Sequence, residues 1–195
     1  MRTGWLPAAL LLLFVTPAAA EWQVKPFAAL TFGTTTTFVD YEMAVPRPHR
    51  LIGVTGVLVG EVFGLEADLG HSSGFFQKGD QNLLLSSSMT TLTGGVVIAL
   101  PRHRFEYTLR PYFVAGAGLM HVSIKGRLGA LDVASTLTAI DFGGGVTGFL
   151  TKRVGLSWEI RRFGTFGGTN RLRGASFVDE QLSFWRANMS VAVRY

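Results

Sequence analysis

His121 and Ser123 stand two residues apart in "MHVSI", the spacing that puts both side chains on one face of a β-strand. An imidazole so placed can act as a general base toward the neighbouring hydroxyl, which makes the pair two-thirds of a nucleophilic hydrolase site. The missing member, an acid to orient the imidazole, could come from Asp132 or Asp141. Gly143, Gly145 and Gly148 in "GGGVTG" have the spacing of a dinucleotide-binding turn. Such a turn opens a helix and is followed about 20 residues later by an acid. Here an alternating segment continues, and Glu159 follows Gly148 by only 11 residues. These glycines are expected to let strands bend and bulky neighbours pack. His71 in "GHSSG" is expected at a loop edge. No His or carboxylate spacing suits a metal and there is no cysteine, so neither metal nor other cofactor is expected.

A different kind of chemistry resides in Lys25, Glu66, Asp68, Asp141, Glu159, Arg161, Arg186 and Arg194. Each occupies a polar position in an otherwise alternating segment, and together they are four cations and four carboxylates. If they share one enclosed face they must pair, because an isolated buried charge costs several kcal/mol.

The elements that position them follow from the pattern. "MRTGWLPAALLLLFVTPAAA" has a basic start, a short apolar run and a small-residue end, and residues 1–20 are therefore expected to be a cleaved signal peptide. The 175 residues that remain of the 195 suit one domain, here 21–195. Mean hydropathy is high at +0.31, yet no unbroken apolar stretch after residue 20 could cross a bilayer as a helix. The hydrophobicity is instead dispersed in short pieces among 24 glycines. The charge balance, 18 Lys and Arg (Arg2 among them) against 13 Asp and Glu, is spread along the chain, so no nucleic-acid partner is expected.

Alternation bounded by turn residues predicts eight strands at roughly 22–33, 50–60, 64–75, 88–100, 109–123, 137–150, 154–166 and 181–195. Their lengths exceed those of ordinary globular strands and suit tilted strands that cross a bilayer. Long and short connections are expected to alternate, as in an up-and-down barrel with tight turns at one end. An even strand number then puts both termini at the short-turn, periplasmic end.

Which face lies inside is decided by the polar positions. Apart from the eight charges they carry mainly Gly, Ala, Ser and Thr, far fewer charges than the 25–35% or so usual on a water-facing surface. They suit the interior of an eight-stranded barrel, which side chains can fill. The opposite face carries Pro26, Ala28, Leu30, Phe32, Leu65, Leu69, Leu92, Val96, Ile98, Tyr112, Val114, Ile140, Val146, Leu156, Trp158 and Ile160. Trp185, Met189, Val191 and Val193 extend it on the last strand, and lipid is the environment that accepts it. Closure satisfies every backbone donor and acceptor without an edge. His121 is expected to share the inner phase with Leu119, away from lipid, where catalysis on a lipid substrate could not occur.

The terminal "FWRANMSVAVRY", with Trp185, Met189, Val191 and Val193 alternating before Tyr195, resembles the last strand of bacterial outer-membrane barrels. The resemblance implies recognition by the outer-membrane assembly machinery. "GLEADLGHSSGFF", "RPYFVAGAGL" and "FGGGVTGFLTKRVGL" are similar to strands of the outer-membrane β-barrel domain family, which includes the OmpA transmembrane domain, OmpX and the opacity-type proteins. That family implies residence in the outer membrane of a Gram-negative-type bacterium. "HVS" also resembles the His-x-Ser element of outer-membrane lipid A 3-O-deacylases, but the Asn-Ala and the later glutamate of that family have no counterpart in "IKGRLGALDVAS".

The expectation is therefore an all-β, eight-stranded antiparallel transmembrane barrel, monomeric and non-enzymatic, with a structural or surface-interaction role and an interior plugged by the charged cluster. A narrow porin and a lipid A-modifying enzyme remain as alternatives. The expected long loops carry Arg47, Arg50, Lys78, Lys125, Arg127, Arg171 and Arg173 among Asp40, Glu42, Asp80, Asp132, Asp179 and Glu180. Besides the bilayer, lipopolysaccharide is an expected partner, its phosphates met by Arg171 and Arg173.

Overall fold

The computed structural model describes residues 20–36, 48–75, 84–101, 109–126, 133–166 and 182–195. Eight strands follow one another: β1 Glu21–Thr36, β2 His49–Val59, β3 Phe63–Ser73, β4 Leu84–Ala99, β5 Leu109–Gly126, β6 Val133–Phe149, β7 Val154–Phe166 and β8 Leu182–Arg194. Each pairs antiparallel with its sequence neighbour, and β8 returns to pair with β1, closing the barrel. All eight expected segments are present, with ends moved by a few residues. The expected signal peptide falls almost wholly outside the described residues.

Closure works because the strands alternate. β3 reads exposed–buried without a break from Phe63 to Ser73, and β8 repeats the pattern from Leu182 through Ala192. The outward positions form an apolar wall: Trp22, Leu30, Ile52, Leu65, Leu92, Ile98, Trp158, Met189 and Val191 are all exposed. A contiguous apolar wall of this size is unusual for a surface that meets water and is of the kind that membrane barrels present outward. Gly33, at φ 58°, sits where the β1–β8 register shifts between Phe32 and Thr35, a left-handed position that glycine adopts without a Cβ penalty.

Two expectations are corrected. Tyr112 and Val114 face inward and are buried, whereas Phe113 is 67% exposed. "YFVAGAGLMHV" has apolar or small residues in both phases, so alternation alone leaves its phase open. The register against β4, Ile98 with Phe113 and Val96 with Ala115, settles it. His121 consequently shares the outer face with Leu119, not the inner one. The connections also alternate less strictly than expected. The segment between β4 and β5 is longer than that between β5 and β6, because β5 and β6 run on past their predicted ends to Gly126 and from Val133.

The interior is layered. Near the β1–β2, β3–β4 and β7–β8 connections Phe27, Leu51, Phe75, Met89, Met120, Phe163, Leu182 and Phe184 pack together, Phe163 stacking on Phe184 with centroids 5.1 Å apart. Near the opposite end Val57, Val59, Val97, Ala99, Tyr112 and Val114 form a second apolar cluster. Glu66, Asp68, Asp141, Glu159, Arg161 and Arg186 lie between these layers.

Arg110 fastens the short-turn end. Its guanidinium donates to the carbonyls of Leu100 at 3.2 Å and of Gly60 and Glu61, both at 2.7 Å, so one side chain ties the β2–β3 turn to the start of the β4–β5 connection. Arg110→Ala should lower unfolding stability by about 1–2 kcal/mol, since carbonyls at the rim can recover water while the charged hydrogen bonds cannot be replaced. A urea midpoint equal to that of the parent would remove Arg110 from this role.

Candidate functional site

The ion pairs of the central layer are built by β3, β6, β7 and β8. Arg161 on β7 is fully buried and donates from Nε to Glu159 Oε1 at 2.5 Å, from Nη2 to Glu159 Oε2 at 2.6 Å, and from Nη1 to Asp141 Oδ2 at 3.1 Å. Nη1 also pairs with Glu66 Oε1 of β3. Arg186 on β8, equally buried, holds Asp68 with two parallel bonds, Nη1 to Oδ1 at 2.8 Å and Nη2 to Oδ2 at 2.9 Å. Fork-to-fork geometry of this kind is the strongest form of such a pair. The Arg186 guanidinium is also held between the rings of Phe27 and Phe163, each centroid 4.7 Å away, where flat aromatic faces favour a cation.

Neutral side chains complete the network. Glu159 accepts from Tyr112 Oη at 2.8 Å and Asn188 Nδ2 at 2.9 Å. It also lies 3.6 Å from Arg186 Nη2, which joins the two arginine clusters. Thr55 Oγ1 donates to Asp68 Oδ2 at 2.8 Å. Lys25 donates to Thr147 Oγ1 at 3.2 Å and sits over the Tyr112 ring, 4.6 Å from its centroid. Thus Lys25, Glu66, Asp68, Asp141, Glu159, Arg161 and Arg186 are all buried inside, and Lys25 is held by a hydroxyl and a ring, with no ion pair among the described residues within hydrogen-bonding reach.

Arg194 stands apart. It lies at the short-turn rim, only partly buried, 3.4 Å from Glu21 Oε2 and 4.4 Å from the Phe149 ring centroid, and it also donates to the Lys152 carbonyl. Its position next to the chain end on β8 puts it beyond the reach of the central carboxylates. Tyr112 escapes a reading by alternation because β5 is apolar in both phases, whereas the sequence signal for Thr55 and Asn188 lies in their phase: both are polar, inward positions.

The glycines of "GGGVTG" serve this layer. A Cβ on Gly143 would lie 2.9 Å from Arg161 Cγ, and one on Gly145 would lie 2.8 Å from Tyr112 Oη. The nearest atoms would be the Ile160 and Trp158 carbonyl oxygens, respectively, so these glycines admit both the close β7 backbone and those two large side chains.

The terminal strand presents Met189 and Val191 outward and Trp185 and Val193 half-buried in the same phase, with Tyr195 84% exposed at the rim. The Tyr195 amide donates to the Trp22 carbonyl at 3.0 Å. His121 Nδ1 lies 2.9 Å from Thr136 Oγ1 on the outer wall, and Asp141 is on the inner side of that wall with Arg161. Asp141 therefore cannot orient the imidazole, and Asp132 lies outside the described residues. Of the arginines and lysines expected in loops, Arg50 lies in β2 and Lys125 in β5, and the remainder fall outside the described residues.

A family model described as "Outer membrane protein beta-barrel domain" matches residues 6–194. Among solved structures, Neisserial surface protein A superposes with a TM-score of 0.62 at 14% identity, covering 89% of this chain and 97% of that one. OprG of Pseudomonas aeruginosa gives 0.54 at 13%, covering 91% and 96%. Ail, the attachment invasion locus protein of Yersinia pestis, solved with the heparin analogue sucrose octasulfate, gives 0.54 at 12%, covering 89% and 98%. Comparison with curated protein sequences gives no match.

Proposed function

The chain belongs to the outer membrane β-barrel domain family and resides in the bacterial outer membrane, and from that premise we propose that it is a non-conducting, non-enzymatic monomer with a structural or surface-interaction role. One observation supports this reading above the others. The lumen is crossed by the Arg161 and Arg186 ion-pair layer with an apolar layer on each side. An eight-stranded barrel is just wide enough for side chains to fill, and these side chains fill it. A cavity at the short-turn end, bounded by Gln23, Lys25, Val57 and Tyr112, measures about 20 Å³, room for one water.

An ion passing through would have to displace buried charge pairs and then cross the Phe163–Phe184 stack. Both steps are expensive in a low-dielectric interior. The purified barrel in a planar bilayer is accordingly expected to give no stable single-channel current. A reproducible current step would favour the narrow-porin reading and overturn this one. Expression should also leave the lipid A mass spectrum unaltered; loss of an acyl chain would make His121 and Ser123 catalytic. In the same reading the alternation from Trp185 to Tyr195 is the element through which the assembly machinery receives the chain.

A further inference from the structure

The outer wall changes character abruptly at one level on its β3–β6 side. The row Val54, Leu69, Leu92, Leu119, in register across β2 to β5, is wholly apolar. The next outward row toward the loop end begins with Ile52 and continues as His71, Thr90, His121 and Thr136, each opposite the one before. His71, His121 and Thr136 are exposed on the outer face and Thr90 between the two histidines is half-buried in the same phase. His71 Nδ1 lies 2.9 Å from Thr90 Oγ1 and His121 Nδ1 2.9 Å from Thr136 Oγ1.

Height along the barrel identifies what meets this row. From Phe63, exposed at the short-turn end, to His71 is eight residues along β3. At about 3.3 Å per residue and a tilt near 40° this is about 20 Å, close to the top of an apolar band about 25 Å tall. The stripe therefore lies where hydrocarbon gives way to outer-leaflet headgroups. Its charge is one-sided. Arg50 is exposed two residues from Ile52, the cross-strand partner of His71, a diagonal spacing that a long side chain spans. Every carboxylate among the described residues lies inside the barrel or at the short-turn end.

Resting on the outer-membrane reading, we propose that Arg50 and the His71–Thr90–His121–Thr136 stripe form a docking surface for the phosphorylated headgroup of an outer-leaflet glycolipid. Each imidazole engages threonine through Nδ1, which fixes its ring and leaves Nε2 for the ligand. Arg50 supplies a planar guanidinium, the group best matched to phosphate oxygens. The hydroxyls accept or donate as the headgroup requires. The acyl chains of the same lipid would lie along the Leu69–Leu92–Leu119 row beneath.

The test uses the full barrel in nanodiscs of phosphatidylcholine carrying a small fraction of lipid A, either bisphosphorylated or with both phosphates removed, and counts retained lipid by native mass spectrometry. The parent barrel should retain the phosphorylated form about tenfold more than the other, roughly the effect of one or two charge-assisted contacts. The triple variant R50Q, H71Q, H121Q should lose that preference while still migrating as a heat-modifiable folded barrel. If the triple variant does not fold, R50Q alone, altered at an exposed strand end, should reduce the preference measurably. A parent barrel with no preference, variants that keep it, or displacement of the lipid by inorganic phosphate would overturn the proposal. A parent barrel that inserts but discriminates nothing defeats the site alone; failure to enter nanodiscs at all would defeat the membrane reading beneath it.

Discussion

Arg161→Met is expected to destabilise the barrel by about 3–5 kcal/mol, enough to prevent a stable folded population in a marginal protein. The reason is what remains. Arg161 engages Glu66, Asp141 and Glu159 from a fully buried position, and methionine fills similar space without neutralising any of them. Three carboxylates would then face one another across a lumen closed by the Phe163 layer on one side and the Val57–Val97–Tyr112 layer on the other. Arg186→Met should also cost several kcal/mol, because it strips Asp68 of both its ionic contacts. Yet a pair removed together leaves no orphaned charge. Arg186→Met with Asp68→Leu should therefore recover most of that loss, even though twice as many native groups are missing. Urea unfolding in detergent, followed by tryptophan fluorescence and by heat-modifiable migration, measures all three variants. If Arg161→Met unfolded within about 1 kcal/mol of the parent, the network would not be the element that the interior depends on.

The same residues explain why most of this architecture could be read from the chain. β3 carries Glu66 and Asp68 on one side and Leu65, Ala67 and Leu69 on the other, so its two faces differ in chemistry and its phase is unambiguous. β8 behaves likewise, with Arg186 and Asn188 against Met189 and Val191. β5 does not. Tyr112, Val114, Phe113 and Leu119 are apolar on both faces, because its inward half packs into the Val57–Val97 layer and its outward half belongs to the apolar outer wall. Where both environments reward the same side chains, alternation carries no sign, and only pairing with β4 assigns it. That ambiguity hid Tyr112 from the network and turned His121 inward. Arg194 shows a different limit: its phase was right, but its distance along the strand, at the rim beside Glu21, is a property of register and not of phase.

Which partner each carboxylate takes was beyond sequence for a related reason. Glu66 and Arg161 are 95 residues apart and Asp68 and Arg186 are 118 apart. Their meeting depends on closure between β1 and β8 and on the stagger of the strands around the barrel. A one-residue slip of a strand would turn its inward set to the outer wall. The network therefore acts against misregister as well as holding the native pairing, since a slipped strand would place guanidinium or carboxylate groups on the apolar outer wall without partners.

Gly143→Val should be as damaging as the loss of Arg161, by the opposite route. β6 approaches β7 so closely at this point that a Cβ would lie 2.7 Å from Arg161 Cα and 2.9 Å from its Cγ, distances that no rotamer change relieves because one partner is backbone. Relief requires β6 and β7 to separate, which loosens the ladder from Gly143–Arg161 to Gly145–Glu159 and draws the guanidinium off Asp141. Overpacking alone costs about 1–3 kcal/mol, and the disturbed ion pairs add to it, so a total near 4 kcal/mol or outright failure to fold is expected. Gly164→Ala, at an outward position with no atom within 4 Å of the added carbon, is the control. It should leave stability unchanged or raise it by about 0.5 kcal/mol, since alanine loses less conformational freedom on folding than glycine. Equal destabilisation by the two substitutions would mean that glycine is needed here for chain flexibility, and the space reserved for Arg161 would not be the reason for Gly143.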